Sequence, residues 1–344
     1  MNDRLARLRE QLDDPFLITN PTNVRYLVGF DSSNCALVVE QDRVRLFTDF
    51  RYIQAARAIE NVEAVQTKRD LIAELADNLS GRFAFEGVLP YALYEVLRNG
   101  GLELVSTDGV VERLRAVKDE QELSAIRRAC AIADRVFERL TDVPFVGRTE
   151  RDVAWDLVQL FHEEGADGMA FESIVGAGPT GSQPHAHAGE RAIGAGQLVI
   201  VDAGCTIDGY ASDYTRTFAT GPLNGEAKEA YETVLLAQQA ALDGVHAGLS
   251  GIDADALARR VIDESPFAGA LGHGLGHGLG LDVHESPRLS TDSGDVLEQG
   301  NVVTVEPGIY VDGRFGIRIE DDVVVTADGI ENLTGVSKDL IEVS

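Results

Sequence analysis

The sequence predicts two units in series, an α/β unit over residues 1–112 and an α+β unit over residues 113–344. Three observations predict this. Strand-like and helical runs alternate up to residue 112, as a layered α/β unit requires. A charged stretch, VERLRAVKDEQEL, follows at the junction. Beyond it the order of two helices and then a hairpin occurs twice, the mark of a pseudo-twofold repeat in which helices cover one face of an antiparallel sheet.

In the first unit PFLIT, CALVVEQ, RVRLFTDF and RFAFEGV read as strands, and DLIAELADNL and ALYEVLRNG as helices. This unit contains no histidine. The charged junction opens a helix whose apolar residues Leu123, Ile126, Ala129, Ile132 and Val136 recur at helical spacing. A second helix lies in TERDVAWDLVQLFHEEG, started by Thr149 with Asp152 in the pattern of a capping box and stopped at Gly165. QLVIVDAGCTIDGYASDYTRTFA then reads as a hairpin about Asp208-Gly209, a favoured two-residue turn. The second round has helices in EAKEAYETVLLAQQAALDGV and DADALARRVIDES, and a hairpin in NVVTVEPGIYVDGRFGIRIEDDVVVT.

Composition narrows the functions. With 57 acidic and 30 basic residues the formal charge is −27, and no basic stretch offsets it. This argues against nucleic acid or an anionic membrane surface as partner and leaves small or neutral substrates. Cys35, Cys130 and Cys205 are odd in number and form no CxxC pair, so neither a disulfide framework nor a structural zinc site is expected. The charged, amphipathic start MNDRLARLREQLDD has no apolar core of a leader, and no run of about 18 apolar residues occurs. The expected compartment is the cytoplasm.

The hairpins gather carboxylates. A turn at 208 and 209 sets Asp213 opposite Gly204 and diagonal to Asp202, and diagonal neighbours lie roughly 7 to 8 Å apart at Cα. An odd-length loop centred on Gly313 sets Glu306 opposite Glu320, with Tyr310 and Arg318 at even offsets on the same face. A single bulge would break that register. Four acids on inner faces, flanked by Val and Ile, are costly to bury unless a cation compensates. Such oxygen-rich sets suit divalent ions such as Mn²⁺, Co²⁺, Mg²⁺ or Zn²⁺.

Histidines cluster in LGHGLGHGLGLDVHES, residues 271–286. Alternate glycines from 272 to 280 leave one side bare for close backbone approach, and His273 and His277 share the other side at equal parity. Spacing alone does not choose between them. His284 lies off that parity, and SQPHAHAGE adds His185 and His187 on a loop.

VDAGCTIDGYASDYTRTF, GHGLGHGLGLDVHE, VEPGIY and GIRIEDDVVV, in that order, resemble the pita-bread metallopeptidases of the Xaa-Pro dipeptidase and aminopeptidase P type, with creatinase as a metal-free relative. The likeness spans about residues 112–344, and the first unit is more loosely similar to a creatinase-like N-terminal domain. The resemblance implies a pita-bread catalytic domain and two divalent ions per chain, Mn²⁺ first, with Co²⁺ or Zn²⁺ as alternatives. It implies five ligands: Asp202, Asp213, His277, Glu306 and Glu320. Asp213 and Glu320 would bridge both ions, Asp202 would hold one, and His277 with Glu306 the other.

Further roles follow by the same likeness. Glu306 would shuttle the proton, His185 and His284 would act at the substrate, and His273, Tyr310 and Arg318 would complete the substrate site. Cys205 stands where alanine is usual and, at odd parity to Asp202, points into the core. The implied activity is hydrolysis of the Xaa-Pro bond, either in Xaa-Pro dipeptides or at the N-terminus of longer peptides, by a homodimer. The alternatives are a metal-independent creatinase-like hydrolase and a non-catalytic binding relative. Such relatives lose carboxylate ligands, whereas all five stand here.

Overall fold

The computed structural model describes residues 3–344 and separates into two compact units, the first ending at Arg115 and the second running Ala116–Ser344. The division falls inside a short helix, Val110–Ala116, which the sequence reading ran together with the next one. Asp119 explains the break. Its carboxylate accepts from the backbone of Gln121 and Glu122 while Glu122 bonds back, so a capping box starts a separate helix, Glu120–Leu140.

The first unit is a six-stranded mixed sheet. Its strands are β1 (Phe16–Ile18), β2 (Cys35–Val39), β3 (Val44–Asp49), β4 (Glu63–Thr67), β5 (Gly81–Glu86) and β6 (Leu102–Thr107), in the order β4-β3-β2-β1-β5-β6. β1, β2 and β3 pair antiparallel, and the outer pairs are parallel. The sequence did not announce β4 or β6. Both are edge strands whose EAVQT and LELVST carry too many half-exposed polar residues to read as apolar runs.

The second unit repeats itself. The helix Glu150–Glu163 has the capping box of Thr149 and Asp152 and ends before Gly165 at φ 91°. With Glu120–Leu140 it packs on β8 (Ile174–Ala177), β9 (Leu198–Ala203) and β12 (Tyr214–Ala219) around Ile126, Phe137, Leu157, Val175 and Val201. Helices Gly225–Gly244 and Gly251–Asp263 pack in the same way on β15 (Val302–Val305) and β18 (Asp321–Val325), around Val234, Ala258, Val303 and Val323. Each round therefore owns a core.

Both hairpins keep one register throughout and open midway. The first turns at Asp208 and Gly209, both at positive φ. Thr206 pairs with Ala211 in β10 (Cys205–Ile207) and β11 (Tyr210–Ala211), while Asp202 pairs with Thr215 in β9 and β12. The ladder lets go between them at Gly204 and Asp213, while Ser212 N–H still donates to Cys205 O at 2.9 Å. The second runs β15, β16 (Gly308–Val311), β17 (Phe315–Arg318), β18, with Val311 opposite Phe315 and Val305 opposite Asp321. It opens at Glu306 and Glu320, with Ile319 N–H still reaching Pro307 O at 3.4 Å. The one bulge near the site falls elsewhere, in the pairing of β13 (Gly276–Gly278) with β14 (Glu285–Leu289). No helix among the described residues is long and apolar enough to cross a membrane.

Candidate metal centre

Those openings are where carboxylates leave the ladder and meet. Asp213 gives its backbone N–H to Asp322 Oδ2 at 2.9 Å and not to a strand partner, which turns its side chain out of the sheet. Glu320 N–H bonds Thr215 O at 3.1 Å, joining the second hairpin to the first. β13 lies beside β15, and Glu306 N–H bonds Leu275 O at 2.8 Å. The result is that one ligand-type atom each from Asp213, His277 and Glu320 lies within 4.8 Å of the other two. Glu306 Oε1 stands 3.3 Å from His277 Nε2.

Glycines make the close approach. A Cβ on Gly276 would come 2.0 Å from Thr304 O, and one on Gly278 2.3 Å from Ser286 O. No residue larger than glycine fits at either position without moving backbone. Gly272 has open space and serves no such purpose.

His273 and His277, indistinguishable by spacing, face different walls. His277 Nδ1 lies 3.1 Å from Gly278 O, so it carries the proton and leaves the Nε2 lone pair facing Asp213 and Glu306. His273 Nδ1 likewise donates to Gly274 O at 2.7 Å, and its Nε2 accepts from Tyr310 Oη at 2.9 Å. Burial pushes both imidazoles below their ordinary pKa. Tyr310 in turn accepts from Arg318 Nη1 at 2.7 Å, and Arg318 Nη2 holds Asp202 Oδ2 at 2.6 Å. Asp202 is thus fixed by a chain of bonds that ends on His273. Arg259, gripped by Asp255 at 2.6 and 2.8 Å, also donates to Leu271 O and His273 O and anchors the stretch that carries His273.

These groups form the floor of a cavity of about 660 Å³, whose mouth is lined by His185, His284, Phe171, Arg288 and Asp292. His284 lies beside His277 with ring centroids 4.2 Å apart and the rings tilted by 49°, and its pKa is lowered by burial and by that neighbour. His185 is exposed on its loop, and His187 stands well outside, 3.6 Å from Glu172. Cys205 is buried with its thiol on Ala129 O, pushed up to about 11 by burial, away from the acids.

Residues 124–327 match the metallopeptidase family M24, and residues 4–117 match the creatinase/prolidase N-terminal domain. The chain belongs to metallopeptidase family M24. It is 33% identical to an Xaa-Pro dipeptidase of Pyrococcus furiosus over 99% of this chain and 100% of that protein. It is 38% identical to an uncharacterized peptidase of Bacillus subtilis over 98% and 99%. Among solved structures it superposes on an Xaa-Pro dipeptidase from Bacillus anthracis with TM-score 0.93, at 37% identity over 98% of this chain and 99% of that one. It superposes on an X-Pro aminopeptidase from Thermotoga maritima with TM-score 0.88, at 33% identity over 98% and 100%. The fold of this M24 chain is the pita-bread arrangement behind a creatinase-type N-terminal domain.

Membership of M24 implies a divalent metal, and the residues present fit one. Asp202, Asp213 and Glu320 are 7%, 5% and 1% exposed, and Asp202 Oδ1 is buried without a hydrogen-bond partner. Burial first, then neighbouring acids, Glu320 for Asp213 and Glu306 for Glu320, drives both well above the ordinary carboxyl pKa. Burial also raises Glu306. Arg318 supplies one buried positive charge on this floor, and a divalent ion supplies what is still owed to the acids.

The sequence reading missed several groups. Thr215 Oγ1 donates to Glu320 Oε2 at 2.5 Å and accepts from Arg318 Nε, while Thr304 Oγ1 donates to Glu306 Oε1 at 3.2 Å. Each lies two residues from an acid on the same strand face, so parity would have found them. Arg216 donates to Glu320 O, Thr215 O and Asp321 and braces the hairpin behind the site. Arg288, beyond the β13–β14 bulge, had no sequence signal.

Proposed function

We propose that this M24 chain is a two-metal peptidase that hydrolyses the Xaa-Pro bond of dipeptides. The convergence of Asp213, His277 and Glu320 atoms within 4.8 Å, with Asp202 and Glu306 beside them, carries the reading. Mn²⁺ is the ion we favour, with Co²⁺ or Zn²⁺ also suited to the donors. Asp202, Asp213, His277, Glu306 and Glu320 would hold the pair. When bound, such ions polarise a peptide carbonyl and make water acidic enough to attack near neutral pH.

The chain's own side chains supply the rest. Glu306, a largely buried carboxyl raised above its ordinary value by burial, takes a proton from the attacking water and hands it to the proline nitrogen as the bond breaks. His284 or His185, at the mouth, donates to the oxygen on which charge develops. Arg318, Tyr310 and His273 hold Asp202 still and border the substrate.

Arg288 supports the choice of a dipeptide. Of the three guanidinium groups lining the cavity, Arg318 is held by Asp202 and Arg259 by Asp255, both at 2.6 Å. Among the described residues the Arg288 guanidinium faces only Asp292, at 3.8 Å, and is placed to cap a substrate's terminal carboxylate. Arg288→Ala should therefore raise KM for Ala-Pro about ten- to a hundred-fold and change that for Ala-Pro-Ala far less. Equal effects on both substrates would remove the cap.

The test of the whole reading is hydrolysis of Ala-Pro and Ala-Pro-Ala by metal-stripped protein, with and without Mn²⁺ or Co²⁺. Metal-dependent cleavage of the dipeptide alone is expected. Cleavage of the tripeptide would make the protein an aminopeptidase P, and cleavage of neither with metal bound would discard proline specificity. A homodimer acting in the cytoplasm belongs to the same proposal, and sedimentation of the metal-loaded protein tests the dimer.

A further inference from the structure

We infer that Glu150 is a positioning residue that holds the His185 loop in place. The inference rests on the peptidase reading for the role of His185, but the clamp itself is a matter of geometry. Glu150 is the first residue of the helix Glu150–Glu163 and is 1% exposed. A buried carboxylate needs compensation, and a helix N-terminus provides part of it.

Its two oxygens complete the balance in an uncommon way. Oε1 accepts the backbone N–H of Ala177 at 3.0 Å, and Oε2 accepts that of Gly189 at 3.2 Å. Ala177 is the last residue of β8 and Gly189 lies beyond the far end of a loop. One carboxylate thus closes the base of residues 178–188, the segment that brings His185 to the cavity mouth. Backbone bonds from Glu150 N–H to Arg191 O and from Arg151 N–H to Gly189 O, each 3.0 Å, hold the same end against the helix.

The far side of the loop is held by the second hairpin. Gly313 N–H donates to Ser182 Oγ at 3.2 Å, and Arg318 Nη1 donates to Pro184 O at 3.3 Å. Pro184 directly precedes His185 and Ser182 lies three residues before it, so this side of the loop is tied to the hairpin that carries Glu306 and Glu320. At the base, Ala177 is held in the β8–β9 ladder and Gly178 N–H donates to Leu198 O at 2.9 Å, whereas the Gly189 end is held, among the described residues, by Glu150 and its helix. Releasing the base lets His185 shift by an ångström or so, and a displacement of about 1 Å at a reacting group costs on the order of 10²-fold in rate.

Glu150→Gln keeps the size of the side chain but offers one acceptor where two are used, and turns an NH₂ toward the other N–H. In metal-loaded protein, hydrogen exchange of residues 178–188 should rise at least about tenfold, with exchange of the helix interior 153–163 and bound metal per chain unchanged. On Ala-Pro, kcat should fall about ten- to a hundred-fold with KM moving less than about threefold. Because Glu150 acts through His185, adding Glu150→Gln to His185→Ala should change kcat by less than about twofold. A double variant whose losses multiply, or a loop that exchanges as in the parent protein, overturns the inference. If the parent protein holds metal and cleaves no Xaa-Pro substrate, the peptidase reading falls instead, and the exchange of residues 178–188 alone decides whether Glu150 is the clamp.

Discussion

Asp213→Ala should empty the site of metal and reduce turnover by on the order of 10³-fold or more, the several kcal/mol that metal assistance supplies to a hydrolytic transition state. Glu320→Ala should do the same. Both side chains belong to the cluster of ligand atoms within 4.8 Å, and both are nearly sealed from solvent. Removing either leaves the remaining acids without a shared centre to surround. The measurement is metal per chain after dialysis, beside kcat on Ala-Pro. An unfolded variant would give the same zero rate, and the melting temperature separates the two cases. Without metal, the parent carries two repelling buried carboxylates, and deleting one relieves that repulsion. Metal-free Asp213→Ala should therefore melt no lower than the metal-free parent. A fully active Asp213→Ala protein would sink the two-metal mechanism.

Stripping the metal should make stability fall as pH rises, the reverse of the usual acid denaturation. Asp213, Glu320 and Glu306 have folded pKa values raised above the ordinary 3.8 and 4.5, by burial first and, for the first two, by neighbouring acids next. The folded metal-free chain therefore binds more protons than the unfolded chain across that range. Stability from these groups is fully present below the ordinary carboxyl values and is lost as pH climbs through the folded ones. Each unit of upward shift is worth about 1.4 kcal/mol.

His273, His277 and His284 oppose this, because their lowered values make stability rise with pH, but their contribution is complete by the ordinary 6.5. Above that value the imidazoles add nothing further, so any remaining pH dependence of these groups is the carboxyl decline. Metal-loaded protein should lack it, and should gain about 2.7 kcal/mol at a hundred-fold excess of ion over its Kd. Thermal melts of chelated and loaded protein from mildly acidic to mildly alkaline pH decide the matter. A chelated protein that grows more stable above pH 6.5 would overturn the assignment of buried, repelling carboxylates.

Much of this site could be read in one dimension because its scaffold is two hairpins. Asp208-Gly209 and Gly313 fix where the chain folds back, and the two-residue period then dictates that Asp202 lies across from Thr215 and that Tyr310 shares a face with Arg318. Whatever depends on departures from the period was not legible. The ladder opens at Asp213 because Asp322, more than a hundred residues away, takes the Asp213 amide. His277 differs from His273 only in which wall it faces, and those walls come from other elements. Glu150 lay inside a capping motif whose visible purpose was to start a helix, so its second task showed only in three dimensions. The break at Asp119 had a readable capping signal, yet the apolar spacing of the long helix drew attention past it.

The acids lie on the floor of their cavity, nearly sealed by the packed hairpins, and the histidines and Arg288 stand at its mouth. On the proposed function, cation and peptide would both reach the acids through that mouth. A dipeptide bound there would lie across the way out of an ion already held. Chelators in the medium would compete for idle protein and spare working protein, so the enzyme would be safest from metal starvation when substrate is abundant.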